Sequence, residues 1–433
     1  MKQNLINACG MPVCLFAICA ATSPLCAATL PSFPGAEGFG ALATGGRGGG
    51  IVHVANLEDS GPGSFRDAVS QPHRLVIFDA GGVIKLKSNV SVSSDITVFG
   101  QSAPGAGVTI YGHSLSLSGS KNIILRYLRV REGIEGDKGK CSININDGKD
   151  IILDHLSIQW GRWDCMGITK GCENITVQNC IIGQGLDPQR FGSLIDTVTN
   201  VSLSHNLWID NQSRNPKAKG FIEYINNVVY NWGVDGLVGG HSEADHELDV
   251  IGSVFIRGPS SNERLLGMFT STDKVFQQDN LTILGRDGTF TPRAVVEADF
   301  SEKTTGPVFV TAKFCHPEIP VTVEPPTNAF HTVIASAGCS LQRDKIDLML
   351  IDEVTSLGTK GKIIRNENEE GGLGEIPPLN LKIAPADGIP DAWKTKHGLS
   401  LDDKNAALGD YNHDGYCNLE KYMAEIVAKD SQK

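Results

Sequence analysis

The sequence predicts an all-β solenoid, a parallel β-helix of short stacked strands, followed by a small helical C-terminal module. Three observations carry this. One strand pattern recurs at a near-constant stride. Turn residues are abundant, with 49 Gly against 6% aromatics. Helical patterning appears mainly near the C-terminus.

Seven segments match when stacked: KNIILRYLRV from Lys121, KDIILDHLSI from Lys149, ENITVQNCII from Glu173, TNVSLSHNLW from Thr199, EYINNVVYNW from Glu223, LDVIGSVFIR from Leu248 and FQQDNLTILG from Phe276. The first four start 28, 24 and 26 residues apart. Apolar and polar residues alternate within each, the period-two mark of a strand with one buried face. A strand of about five residues covers only a fifth or so of that stride at roughly 3.3 Å per residue. The remainder must turn and come back one rung higher, so each rung buries its apolar face against its neighbours. Asn179, Asn206, Asn226 and Asn227 recur near strand ends, where stacked amides would form a ladder. A β-sandwich would show closer hairpin turns and a leucine-rich repeat its leucine pattern. Neither is present.

Upstream, Gly61-Pro62-Gly63-Ser64 reads as a turn ending in a helix cap, Phe65 to Val69 as a short helix, and Arg74 to Asp79 as a strand. Such a helix would cover the open end of the coil. Beyond about Asp287 the rungs become irregular. A Gly/Pro-rich stretch, Glu369 to Pro378, reads as a linker; helices are expected from Pro390 and over Asn418 to Ala424. Residues 1–28 read as an export signal: Lys2, an apolar run from Met11 to Ala21, then small residues around Cys26-Ala27-Ala28. That run is short for a membrane span. The expected organisation is therefore signal 1–28, coil 29–368, and linker with helical module 369–433, in a secreted protein with no membrane attachment after cleavage.

Four of the 11 cysteines fall in the signal, leaving an odd number and at least one unpaired thiol. The net charge of −11 and the lack of a basic tail exclude nucleic acid as a partner. An acidic chain that takes an acidic polymer needs a local basic cleft. A coil with covered ends is expected to be a monomer.

Three stretches near the N-terminus, Phe33-Pro-Gly-Ala-Glu-Gly-Phe-Gly, Thr44-Gly-Gly-Arg-Gly-Gly and Asp59-Ser-Gly-Pro-Gly-Ser-Phe-Arg-Asp-Ala-Val, resemble the N-terminal region of the pectate/pectin lyase superfamily. Ile152-Leu153-Asp154-His155 resembles that family's W-I-D-H strand, and Arg214-Asn215-Pro216-Lys217-Ala218-Lys219 its R-x-P-x-x-R segment. The resemblance spans roughly residues 33 to 290 and implies a right-handed coil that cleaves an acidic polysaccharide, pectate or a related uronide, by β-elimination. It makes Arg214 the base and Lys219 the holder of the substrate carboxylate, and it gives Asp154 and His155 a site-shaping role. Their spacing in rungs leads us to expect both motifs on one side of the coil.

The chemistry suits these residue types. Removing a weakly acidic C5 proton requires a neutralised neighbouring carboxylate and a base within reach. A guanidinium serves as base only where neighbouring cations and desolvation disfavour its charge. Lys217 and Lys219 are such cations. Read alone, the segment is also compatible with a solvated basic turn.

Calcium-dependent members carry acids where this chain has Gly139, Cys141 and Gly167; only Asp164 lies close, one residue out of register. Since Ca²⁺ wants six to eight oxygens, the usual cluster is expected to be absent or rebuilt around Asp164. Arg162 and Arg190 lie in the same turns and are candidate substrate-binding cations that could replace the metal. A second calcium candidate is Asp410-Tyr-Asn412-His-Asp414-Gly415, which follows EF-hand loop spacing. Its twelfth position is Lys421, with Glu420 one residue short. A capped helix after a polar turn fits the same residues. Two further functions remain open: a β-helical binding protein without activity, and a hydrolase. The hydrolase needs a carboxylate pair that the central rungs lack.

Overall fold

Alternating Ile, Val and Leu determine how the chain winds. The computed structural model describes Met1 and residues 29–302, 305–381 and 385–430; the expected export signal lies outside the described residues. The stacked segments pair in parallel with no slip in their inward residues: Ile123, Ile151, Ile175 and Val201 are in register, as are Leu125, Leu153, Val177 and Leu203. All eight are fully buried in one continuous core. Each such side chain contributes about 1.5–3 kcal/mol on burial, so truncating Leu153 to Ala should cost roughly 2–5 kcal/mol.

The coil has about nine turns and three faces. The first face carries short strands such as Ile143–Asn146 and Asp164–Thr169, the second Lys149–Asp154 and Glu173–Gln178, and the third Ser157–Gln159 and Ile181–Gly183. Two long strands, Phe191–Ser204 and Lys217–Ile225, run through the corner between first and second faces. At the second-to-third corner the expected amide ladder forms through Asn206 and Asn227. Asn206 Oδ1 accepts the Cys180 N–H at 2.9 Å and Asn227 Oδ1 the Asn206 N–H at 3.0 Å. Asn280 continues the column, accepting from Ser253 N. Asn179 and Asn226, one residue earlier, instead take the left-handed backbone that makes the bend.

Helix α1, Phe65–Ala68, closes the first end, with the Ser64 hydroxyl accepting from Asp67 N and Phe65 stacked 6.1 Å from Phe78. Inside the stretch expected to be coil, α2 (Pro326–Ser336) and α3 (Lys345–Thr355) form a helical pair. Phe330, Val333, Ile346, Leu350 and Val354 cover the outward side of the third face, against Leu207, Ile209, Val228 and Ile256. The tail helices α4 (Asp391–Lys396) and α5 (Asn418–Asp430) arise near where they are expected. They do not hang from the last rung: Ile389, Trp393, Leu419 and Met423 pack on Leu75, Ile77 and Phe99 of the first rungs. All seven described cysteines are buried free thiols. No helix among the described residues is long and apolar enough to cross a membrane.

Candidate active site

The longest turns join the third face to the first, and the expected basic segment is one of them. Arg214 takes a left-handed backbone (φ 63°) and directs its carbonyl to Ser193 N at 2.7 Å. Gly192 permits this approach, since a Cβ there would lie 2.4 Å from the Arg214 oxygen. Asn215 anchors the turn from below, accepting from Asn211 Nδ2 at 2.9 Å while its carbonyl accepts the Tyr224 hydroxyl at 3.1 Å.

Beyond the turn, Ala218 enters the core, and strand alternation sends Lys217 and Lys219 outward. Register places Asn144, Gly167, Leu194 and Lys217 in one outward column, and Asn146, Thr169, Asp196 and Lys219 in the next. Lys217 and Lys219 therefore share the first face, and Arg214 stands in the turn that leads into it. Arg214 Nη1 lies 3.1 Å from both carboxylate oxygens of Asp164, and its guanidinium covers the Phe191 ring at 4.2 Å. Burial pushes the Asp164 carboxyl up to about 6, against the pull of Arg214. Lys219 Nζ meets Asp196 at 3.0 Å. Lys217 Nζ donates to His241 Nε2 at 3.3 Å, the His241 Nδ1–H being directed to the Gly239 carbonyl at 3.1 Å. Burial lowers the Lys217 pKa, and the charges of Arg214 and Lys219 lower it further.

The other expected residues fall elsewhere. Asp154 and His155 are not beside Arg214: they end a second-face strand at the second-to-third corner, a different edge of the coil. His155 shares the left-handed bend column with Tyr127 and Asn179, and its ring stacks on Tyr127 at 4.6 Å. Burial opposes the Asp154 charge, but His155, Arg126 and Gln178 together hold its pKa well below the usual range. This pair pins a corner on a different edge of the coil from Arg214. Arg162 lies in a site-side turn but braces it, donating to the carbonyls of Gly136 and Asp187. Arg190 pairs with Asp187 at 3.2 Å.

Two of the three positions expected to lack calcium ligands, Cys141 and Gly167, lie side by side. A Cβ on Gly167 would stand 3.4 Å from both Cys141 Sγ and Asn144 Oδ1. A thiol is a poor substitute for the oxygens a hard cation prefers, Gly167 offers no side chain, and Asp164 is engaged by Arg214. Among the described residues no group of three or more His, Cys, Asp or Glu is placed to hold a metal ion. In the C-terminal loop, Glu420 pairs with Arg47 at 2.9 Å and caps Cys417 N.

Sequence reading missed Asp196, Phe191, His241 and Trp163. Only stacking of rungs brings Asp196 to Lys219. Trp163 is 38% exposed, beside Asp164, and a Cβ on Gly139 of the neighbouring turn would meet its indole at 3.9 Å.

A family model described as pectate lyase matches residues 81–256. The probable pectate lyase C of Aspergillus flavus is 40% identical over 400 residues, covering 92% of this chain and 94% of the relative. That of Emericella nidulans is 41% identical over 407 residues, covering 93% and 95%. Among solved structures, the major allergen from cedar pollen superposes with TM-score 0.51 at 17% identity over 70% of this chain and 92% of its own. A thermostable pectate lyase gives 0.51 at 13% identity over 71% and 98%. With a coil of this architecture and relatives matched over nearly their whole length, this chain belongs to the pectate lyase family.

Proposed function

We propose that the protein is an exported lyase that cleaves polygalacturonate or a closely related uronide at its first face, with Arg214 as the base. The observation that carries this reading is the convergence of Arg214, Lys217 and Lys219 on one outward surface of an otherwise acidic coil. Arg214 takes the C5 proton, the C–H electrons form the C4–C5 double bond, and the C4–O bond breaks. The departing oxygen then takes a proton. Lys219 faces the substrate carboxylate as a point charge, without the two-pronged grip of an arginine. Lys217, with its lowered pKa, gives up a proton more readily than an ordinary lysine and is suited to protonating the leaving oxygen. Trp163 offers a flat apolar face for a sugar ring one turn away.

The family is typically calcium-dependent. Here the glycines and the thiol at the expected ligand positions, Gly139, Gly167 and Cys141, support a second form of the same reading, in which fixed cations neutralise the carboxylate without metal. The experiment is absorbance of unsaturated product from polygalacturonate, in calcium and then in chelator. A rise in both supports fixed cations. A rise only in calcium assigns the neutralisation to a metal bound with substrate. Absence of product from both polygalacturonate and esterified pectin overturns the proposal in favour of a binding protein.

A further inference from the structure

The C-terminal loop has calcium-loop spacing, yet its interior already contains a cation. Asp410, Asn412 and Asp414 occupy alternate positions, with Gly415 at the sixth. The twelfth position, where a carboxylate would complete the shell, is Lys421. Its ammonium sits between the loop's two acids, hydrogen-bonded to Asp410 and 3.1 Å from Asp414 Oδ1, and covers the Tyr411 ring at 4.8 Å. Asp410 accepts the backbone N–H groups of Asp414 and Gly415 at 3.3 and 2.8 Å, as a loop closed around a charge requires.

Asn418 and Glu420 are engaged outside the loop's interior. Asn418 Oδ1 accepts Tyr411 N at 3.0 Å, and its amide donates to Ala406 O at 2.7 Å. Glu420, the nearest spare carboxylate, is 7% exposed and held by Arg47 and by Cys417 N. Arg47 also donates to Ser32 O at 3.0 Å and lies over the Tyr416 ring, whose hydroxyl donates to Pro31 O at 3.0 Å. The loop is thereby fastened to Pro31 and Ser32.

We infer that Lys421 is a built-in replacement for calcium: the tail folds and docks on the first rungs without metal, its ammonium standing where the ion would sit. A tethered cation has no concentration dependence, so chelation leaves the tail unchanged, whereas a bound metal would stabilise it by mass action. The test is hydrogen exchange of the full-length protein over residues 405–430, in calcium and in EGTA. This local readout is independent of any metal taken up with substrate on the first face. Equal protection in both is expected; protection lost in EGTA and regained in calcium overturns the inference. Lys421→Glu supplies the missing carboxylate, so its tail should lose protection in EGTA and recover it in calcium. A folded Lys421→Glu protein with no calcium response also contradicts the inference. If that variant does not fold, the wild-type comparison alone decides.

Discussion

Arg214 Nη1 stands 3.1 Å from each carboxylate oxygen of Asp164, a residue fifty positions earlier in the chain. The ionised Asp164 favours the charged guanidinium and so opposes its use as a base. Asp164→Asn removes that charge and keeps the shape. The ascending limb of the pH profile of kcat/KM should move to lower pH, measured by absorbance of unsaturated product. An unmoved limb would separate Asp164 from the base.

Lys219 is partly neutralised by Asp196 at 3.0 Å. Lys219→Ala leaves Asp196 facing the substrate carboxylate. A charge-assisted hydrogen bond contributes about 1.5–3 kcal/mol, so KM should rise by roughly tenfold or more with a smaller change in kcat. Asp196→Asn should act in the opposite direction and lower KM. Parallel losses of kcat in both variants would place Lys219 in the chemical step.

A buried acid pair joins α3 to the coil. Asp210 and Glu353 face each other, and burial together with each other's proximity drives the Asp210 pKa well up; burial raises Glu353 too. Asp210 Oδ2 and Glu353 Oε2 have no other hydrogen-bond partner, and a proton shared between them would satisfy both. A raised folded-state pKa gives stability that is complete below the unfolded carboxyl value, near 4, and lost as pH rises through the folded value. Glu353→Gln provides a permanent N–H. Its stability relative to wild type in urea denaturation should therefore improve steadily from acid to alkaline pH. A gap independent of pH would show that the pair shares no proton.

Much of the fold was legible because a rung repeats locally. Period-two alternation places Ile151 and Leu153 inside, and the stride places Lys149 beside Lys121 and Glu173. The amide ladder through Asn206 and Asn227 followed from the same repetition. Less legible was which corner a motif occupies. Asp154 and His155 lie in a rung near Arg214, but turn lengths decide the edge, and theirs is the bend after the second face. The pair α2–α3 was overlooked, although Pro326 at its start and Asp344, which caps Ile346 and Asp347, are ordinary helix signals. Asp164 and Asp196 acquired their partners only through stacking, which no local pattern encodes.

The most direct test of the central claim is the absorbance of unsaturated product released from polygalacturonate by wild type and by Arg214→Ala. General-base catalysis is worth about 10²–10⁴-fold. The account therefore predicts a product rise with wild type, kcat reduced by at least that order in the variant, and substrate affinity little changed. A variant that forms product at the wild-type rate would contradict it.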